Sequence, residues 1–195
     1  MRSRPIYIGI FLLSLSLLLY ELTLIRVYST ILFYHYAFMA ISVAMLGLAA
    51  SGLTVHFAPR RFSKDRLAFW ASRWTIVYAI ALPLVFWTVF RIPTNAYLPP
   101  DQIAGKLTLI YLLSAVPFYF AGLAISGTFA ALPEFIGGLY GWDLAGAGLG
   151  ALAMIPLINL AGGESIVFFI VAVALLAGFS FAVGSLRTVL LISVF

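Results

Sequence analysis

Polar side chains interrupt the first apolar segment of this sequence at regular positions. Ser14, Glu21 and Tyr28 are spaced by seven residues, and His35 continues the spacing if a helix extends that far. This spacing places the side chains on one face of an α-helix, directed at neighbouring helices rather than at lipid. Because ionisable groups inside a bilayer are costly and often functional, Glu21 is a candidate proton-linked or ligand-linked carboxylate. The alternative is a protonated or hydrogen-bonded packing residue, with His35 as a neutralising partner.

Arg26 has a simpler explanation than Glu21. If the helix enters the membrane near Pro5, Glu21 lies about 24 Å in and Arg26 about 32 Å in. At that depth Arg26 reaches the far interface, where its long side chain can extend towards water. The two residues lie five positions apart and therefore do not form an i,i+4 ion pair.

Asp143 is a second candidate, within LYGWDLAGAGLGALAMIPLINLAGG (139–163). In the first turn of a helix it would cap backbone amides and favour the positive end of the helix dipole. An ion pair with a cytoplasmic arginine, such as Arg73, and a contact with a ligand are the alternatives.

Small residues at four-residue spacing recur in three segments and predict close helix packing. The pairs are Gly47 with Ser51, Gly122 with Ser126, and Gly146 with Gly150. The last pair also falls in a GxGxxA match to the dinucleotide-binding fingerprint. We reject that interpretation, because no strand precedes the match and it lies in a membrane-length apolar run.

The composition identifies the elements that must hold these residues. Of the 195 residues, 64% are hydrophobic and 9% are charged, and the mean hydropathy is +1.14. Soluble domains are about 25% charged, so the chain is predicted to be an integral membrane protein. The absence of cysteine excludes disulfides and cysteine-ligated metals. The net charge of +5 is more typical of membrane orientation than of nucleic-acid binding, and we predict no nucleic-acid partner.

Six apolar segments reach the ~20 residues that a membrane-spanning helix needs. They lie near 5–33, 36–57, 67–90, 107–133, 139–161 and 164–186. We therefore predict an all-α polytopic bundle, resembling half of a transporter, as a single transmembrane domain over residues 1–195. Residues 188–195 are expected to begin a seventh helix that is cut short, as in a fragment of a longer protein.

Basic residues predict the orientation, because cytoplasmic loops are enriched in lysine and arginine. With six crossings, one side holds Arg2, Arg4, Arg60, Arg61, Lys64, Arg66 and Arg187, and the other holds Arg91 and Lys106. Both termini are therefore predicted to be cytoplasmic, and the loop 91–106 is predicted to be external and extended. The basic loop between the second and third helices could also bind anionic lipid or a partner, although orientation alone explains it.

Histidines give little support for a bound metal or cofactor. His35 and His56 fall at opposite predicted sides of the membrane, so they are not expected to share a metal. No cofactor is predicted. His56, at the inner end of the second helix, leaves a pigment, haem or quinone contact open as an alternative to an ordinary interfacial histidine.

Two stretches resemble the membrane domain of bacterial spermidine synthase-like proteins. The first is LLYELTLIRVYSTILFYHYAFMAISVAMLGLAASG, in which a glutamate is followed closely by an arginine and then by a small-residue-rich helix. The second is LYGWDLAGAGLGAL, which matches a Tyr-x-x-Asp-Leu-x-Gly-Ala-x-x-Gly pattern through Tyr140, Asp143, Leu144, Gly146, Ala147 and Gly150. The resemblance covers about a third of the chain. It implies a half-transporter-like domain in a bacterial inner membrane, without the soluble aminopropyltransferase-like domain that longer members carry.

Three functions follow from these observations. The first is a non-catalytic membrane anchor, scaffold or complex subunit, with the bilayer and other membrane subunits or a second copy as partners. The second is a small-molecule or ion transport module that uses Glu21 and Asp143. The third is the membrane part of a longer aminopropyltransferase-like enzyme. The sequence itself contains no catalytic constellation, which favours the first.

Overall fold

Helices make up nearly all of the chain that the structure describes. The structure is a computed structural model and describes residues 4–31, 36–92 and 100–192. Its helices are α1 (Arg4–Ile31), α2 (Met39–Phe57), α3 (Leu67–Arg91), α4 (Pro100–Ala131) and α5 (Ile136–Ile192). Three 3₁₀ turns join them, Pro59–Phe62 and Lys64–Arg66 before α3 and Pro133–Phe135 before α5. No strand occurs in these described ranges, and the predicted all-α class is confirmed.

Six stretches are long and apolar enough to cross a membrane, as predicted. They are Arg4–Thr30, Met39–Phe57, Lys64–Arg91, Ile103–Ala131, Pro133–Leu160 and Ser165–Val183. A helix satisfies its backbone hydrogen bonds internally, which is the condition for crossing the hydrocarbon core. The chain is therefore built as a multi-pass helical bundle.

The fourth helix begins earlier than the sequence analysis predicted. It starts at Pro100 rather than near residue 107, so residues 100–106 are helical and do not belong to an extended loop. Proline is well suited to the first helical turn, because its φ is already helical and its missing N–H would have no partner there. The remainder of that predicted loop, residues 93–99, lies outside the described residues, as do residues 32–35 after the first helix.

The fifth and sixth predicted helices, 139–161 and 164–186, are joined in the single helical stretch α5. Its contacts nevertheless require a reversal of direction. Gly138 lies against Tyr7, and the Phe181 ring lies against Gly9, only two residues further along α1. A straight helix would hold residues 138 and 181 roughly 65 Å apart. The chain therefore turns back, and we call residues 136–160 the first arm and residues 165–183 the second arm.

The helices alternate in direction through the bundle. Ser16 meets Tyr78 and Tyr20 meets Phe86, so α1 and α3 run the same way. Gly146 and Gly150 approach Phe11 and Leu15 in turn, so the first arm is also parallel to α1.

The other three spans run in the opposite direction. In α4, Phe120 stacks on Trp74 and Gly127 meets Trp70, which makes α4 antiparallel to α3. Consequently Arg4, the turns 59–66 and the turn 133–135 lie at one end of the bundle, which we call the basic end.

Candidate functional site

Asp143 and Ser14 meet where the first arm packs on α1. The Ser14 hydroxyl donates a hydrogen bond to the Asp143 carboxyl group, and Ser14 is only 4% exposed. Next to this pair, the Trp142 ring lies 5.8 Å from the Phe11 ring in an edge contact and 6.4 Å from the Tyr7 ring. Ser14 lies about 5 Å along the axis from the midpoint of α1, so this polar contact is deep within the span.

This placement differs from the capping role that was predicted for Asp143. The helix begins at Ile136, so Asp143 lies two turns inside it and beyond the amides that a cap would satisfy. Its partner is the α1 serine of the predicted polar face rather than Arg73, whose guanidinium lies over the Trp74 ring.

The other polar residues predicted in the first apolar segment have different surroundings. Glu21 is half-buried and has no hydrogen bond or ion pair with any described residue. Arg26 is exposed, and the extension of its side chain towards water stays a prediction. Tyr28 is fully buried. His35 lies outside the described residues, so its predicted pairing with Glu21 stays a prediction.

A cluster of buried hydroxyl groups lies between α1, α3 and α4, which the sequence analysis did not predict. The Ser16 and Tyr78 hydroxyls are 3.2 Å apart, and the Tyr20 hydroxyl donates to the Ser114 carbonyl oxygen at 3.0 Å. By contrast, the Tyr28 hydroxyl and the Ser114 hydroxyl are near one another, but neither has a hydrogen-bond partner among the described residues. Tyrosine and serine side chains on separate apolar helices carry no sequence signal that identifies them as neighbours.

Small residues of α2 and α4 face one another. A Cβ atom at Gly47 would stand 2.6 Å from the Ala115 carbonyl oxygen, and one at Gly122 would overlap Ser51. Ser51 is fully buried, and its hydroxyl donates to the Leu48 carbonyl oxygen within its own helix. Ser126, the other predicted member, is half-buried. The two backbones thus approach each other at positions where a side chain would not fit.

Gly146 and Gly150 serve the same purpose between the first arm and α1. A Cβ at Gly150 would stand 2.8 Å from the Leu15 carbonyl oxygen, and one at Gly146 would overlap the Phe11 carbonyl oxygen. The GxxxG pair is therefore used within the chain and is not exposed to a second molecule.

A second small-residue face on the same arm points out of the bundle. Gly137, Gly141, Ala145 and Gly148 are all exposed. A Cβ at any of the three glycines would have no atom of the described chain within 4 Å. Because this face repeats at three- and four-residue spacing, it offers another helix the same close approach that α1 receives from Gly146 and Gly150.

Metal or cofactor ligation gains no positive support from the arrangement. His56 is exposed and its ring makes an edge contact with Phe57, at 5.3 Å between ring centroids. Across the part of the chain that the structure describes, no three His, Cys, Asp or Glu side chains come together as a candidate metal site.

Comparison of the chain with protein-family models, with curated proteins and with solved structures found no significant match. The resemblance to spermidine synthase-like membrane domains accordingly stays a prediction from the motifs.

Proposed function

We propose that this chain is a non-catalytic membrane subunit that anchors or scaffolds a larger complex, with the outward face of its first arm as the assembly surface. The observation that carries the proposal is the low burial of the span Pro133–Leu160. Only 17% of the most apolar 18-residue stretch of this span is buried inside the chain, which is the smallest share among the six spans.

The chemistry of this surface is suited to another transmembrane helix. Gly137, Gly141 and Gly148 leave the backbone accessible, while Leu152 is 74% exposed and Ile155 is 70% exposed further along the arm. Lipid tails are as apolar as leucine, so apolar exposure alone drives no association in a bilayer. Small residues do, because they allow close backbone contact and extensive van der Waals packing.

The proposed setting is a bacterial cytoplasmic membrane, with the basic end in the cytoplasm. The clustering of Arg4 and the turns 59–66 at one end supports this orientation under the positive-inside rule. The partner is either another membrane subunit or a second copy of the chain, and kinship with spermidine synthase-like membrane domains is part of the proposal.

Native mass spectrometry of the protein purified in mild detergent tests the proposal. The wild type is expected to appear as a complex heavier than the 21.3 kDa chain. Gly141→Leu should fold, since the position is open, and should lose the complex because leucine blocks close helix approach. Gly52→Leu is the matched control, because Gly52 on α2 also has no described atom within 4 Å of its Cβ position.

Two results would contradict the assembly function. A wild-type protein that is recovered from its native membrane as a single chain, with neither another subunit nor a second copy, would remove its basis. A Gly141→Leu variant that assembles as well as Gly52→Leu would show that the outward face is not the assembly surface.

Transport is a second candidate, favoured by Glu21. An intramembrane carboxylate without a described partner is a functional candidate in its own right. If Glu21 binds a proton or a cation during transport, Glu21→Gln abolishes uptake in vesicles while leaving the assembled mass unchanged. If uptake persists in that variant, the carboxylate has no transport role.

A further inference from the structure

A cavity lined by arginines lies at the basic end, between α2, α3 and α4. Its volume is about 800 Å³, which is within the range of about 300–1,000 Å³ for small-molecule sites. Its charged lining consists of Arg60, Arg61, Arg66 and Arg73, and no Asp or Glu contributes to its described lining. Basic residues that only set the orientation of the protein in the membrane need not lie near one another, whereas these four side chains line the same cavity.

Among the described residues, no ion pair neutralises these four arginines. The ion pair formed at this end by the described residues joins Lys64 to Glu134, and neither residue lines the cavity. Arg73 lies over the Trp74 ring, with its guanidinium carbon 5.3 Å from the ring centroid. Four guanidinium groups around one space repel one another, so a bound anion would be stabilised there.

The walls of the cavity are held in place by packing. The Trp70 indole donates a hydrogen bond to the Ser63 carbonyl oxygen at 3.1 Å, and the Phe62 ring packs edge-on against Trp70 at 5.2 Å. On the opposite wall, the Thr54 and Tyr119 hydroxyls are 3.1 Å apart in a hydrogen bond. The arginines thus extend from a preformed aromatic frame rather than from an unsupported loop.

An apolar groove adjoins this cavity along α3. Its volume is about 450 Å³, and it lies between α3 and the second arm, with Ile76, Val77 and Ala182 in its lining. Phe69 and Arg73 line both spaces, so the groove and the cavity share a wall. Ile76 and Val77 lie three and four residues further from the basic end than Arg73, about 5 Å deeper along α3.

We propose that the cavity and the groove together bind one anionic phospholipid, with its phosphate among the arginines and an acyl chain along the groove. Guanidinium groups bind phosphate oxygens through paired, charge-assisted hydrogen bonds. A free phosphate compound would occupy the cavity but has no part that fits the groove. The shared Arg73 and Phe69 favour the amphiphilic ligand, because they stand where a headgroup joins its acyl chain.

Native mass spectrometry with added phosphatidylglycerol or phosphatidylcholine tests the charged half of the site. The wild type is expected to retain phosphatidylglycerol preferentially. The double variant Arg66→Gln/Arg73→Gln should lose roughly fivefold in affinity for each arginine removed. Arg91→Gln is the control. Like Arg73, Arg91 is an α3 arginine that lies over a tryptophan, with its guanidinium carbon 4.5 Å from the Trp87 ring centroid, but it lies at the other end of the helix. An equal loss for each arginine removed in the two variants would overturn the proposal in favour of general surface charge.

Val77→Phe tests the apolar half, and it does so even if the arginine variants fail to fold. This substitution fills the groove and should weaken retention of phosphatidylglycerol severalfold, whereas Leu84→Phe, on the exposed face of α3, should not. Glycerol phosphate is the probe for a soluble ligand. If it displaces the lipid at equimolar concentration, or if Val77→Phe binds lipid like Leu84→Phe, the ligand is a free phosphate compound and the phospholipid proposal is wrong.

Discussion

Gly146→Ala should destabilise the protein, whereas Gly148→Ala in the same arm should not. At Gly146 an added Cβ would overlap the Phe11 carbonyl oxygen and stand 2.9 Å from the carbonyl carbon, compared with ordinary contacts of 3.4–4 Å. The first arm would therefore have to move away from α1 by roughly 1 Å, which loosens a close-packed contact along both helices. At Gly148 the Cβ position is open within the described chain.

The size of the difference follows from two opposing terms. Both substitutions gain about 0.5–1 kcal/mol, because alanine favours a helix more than glycine does. That gain cancels when the two variants are compared. Overpacking at Gly146 costs about 1–3 kcal/mol and has no counterpart at Gly148. The free energy of unfolding of Gly146→Ala should therefore fall below that of Gly148→Ala by about 1–3 kcal/mol.

Unfolding of each variant by SDS in mixed micelles, followed by circular dichroism, measures this difference. Gly138→Ala provides an intermediate case, because its Cβ would lie 3.1 Å from the Tyr7 hydroxyl, which is the far end of a flexible side chain. Equal unfolding midpoints for Gly146→Ala and Gly148→Ala would refute the close contact between α1 and the first arm.

Three further predictions concern the polar groups of the bundle. Asp143→Asn keeps an acceptor for the Ser14 hydroxyl and should unfold like the wild type in the same SDS titration. Asp143→Ala should lower the free energy of unfolding by about 1 kcal/mol. Equal free energies of unfolding for the two variants would mean that the hydrogen bond contributes nothing. Tyr28→Phe should be neutral or stabilising, because the Tyr28 hydroxyl is buried without a described partner. Tyr20→Phe loses a hydrogen bond to the Ser114 carbonyl oxygen and should lower the free energy of unfolding by about 1 kcal/mol. A larger loss for Tyr28→Phe than for Tyr20→Phe would mean that the Tyr28 hydroxyl has a hydrogen-bond partner. Glu21→Gln should leave the unfolding midpoint unchanged, and a fall in complex recovery at equal expression would assign its charge to assembly.

The spans could be predicted from sequence because bilayer thickness sets their length directly. Span length alone did not predict that the last two spans belong to one helical stretch, α5. The sequence analysis predicted two separate helices here, 139–161 and 164–186, because each segment has the length of one membrane crossing. In the structure no non-helical residue separates the two crossings, and they are distinguished only because Gly138 and Phe181 both lie near the start of α1.

Pairings between helices could not be predicted from the residues alone. Ser14 and Asp143 were each identified as polar groups in apolar surroundings, but 129 positions separate them in the chain. Their contact depends on which face of the first arm meets α1. The choice among a cap, an ion pair with Arg73 and a ligand contact was therefore open for Asp143, and Ser14 was not predicted as its partner.

The inward and outward faces of the first arm illustrate why membrane helices conceal this information. In a soluble helix, polar residues mark the outside, but here both sides are apolar and the usual periodic signal is absent. Residue size is the only cue, and it is ambiguous because Gly137 and Gly141 have the same spacing as Gly146 and Gly150. Packing resolves the ambiguity, since α1 covers the second pair and no described residue covers the first. A partner helix that packs on Gly137 and Gly141 would meet the same geometry that α1 already uses, which is why a substitution at Gly141 separates assembly from folding.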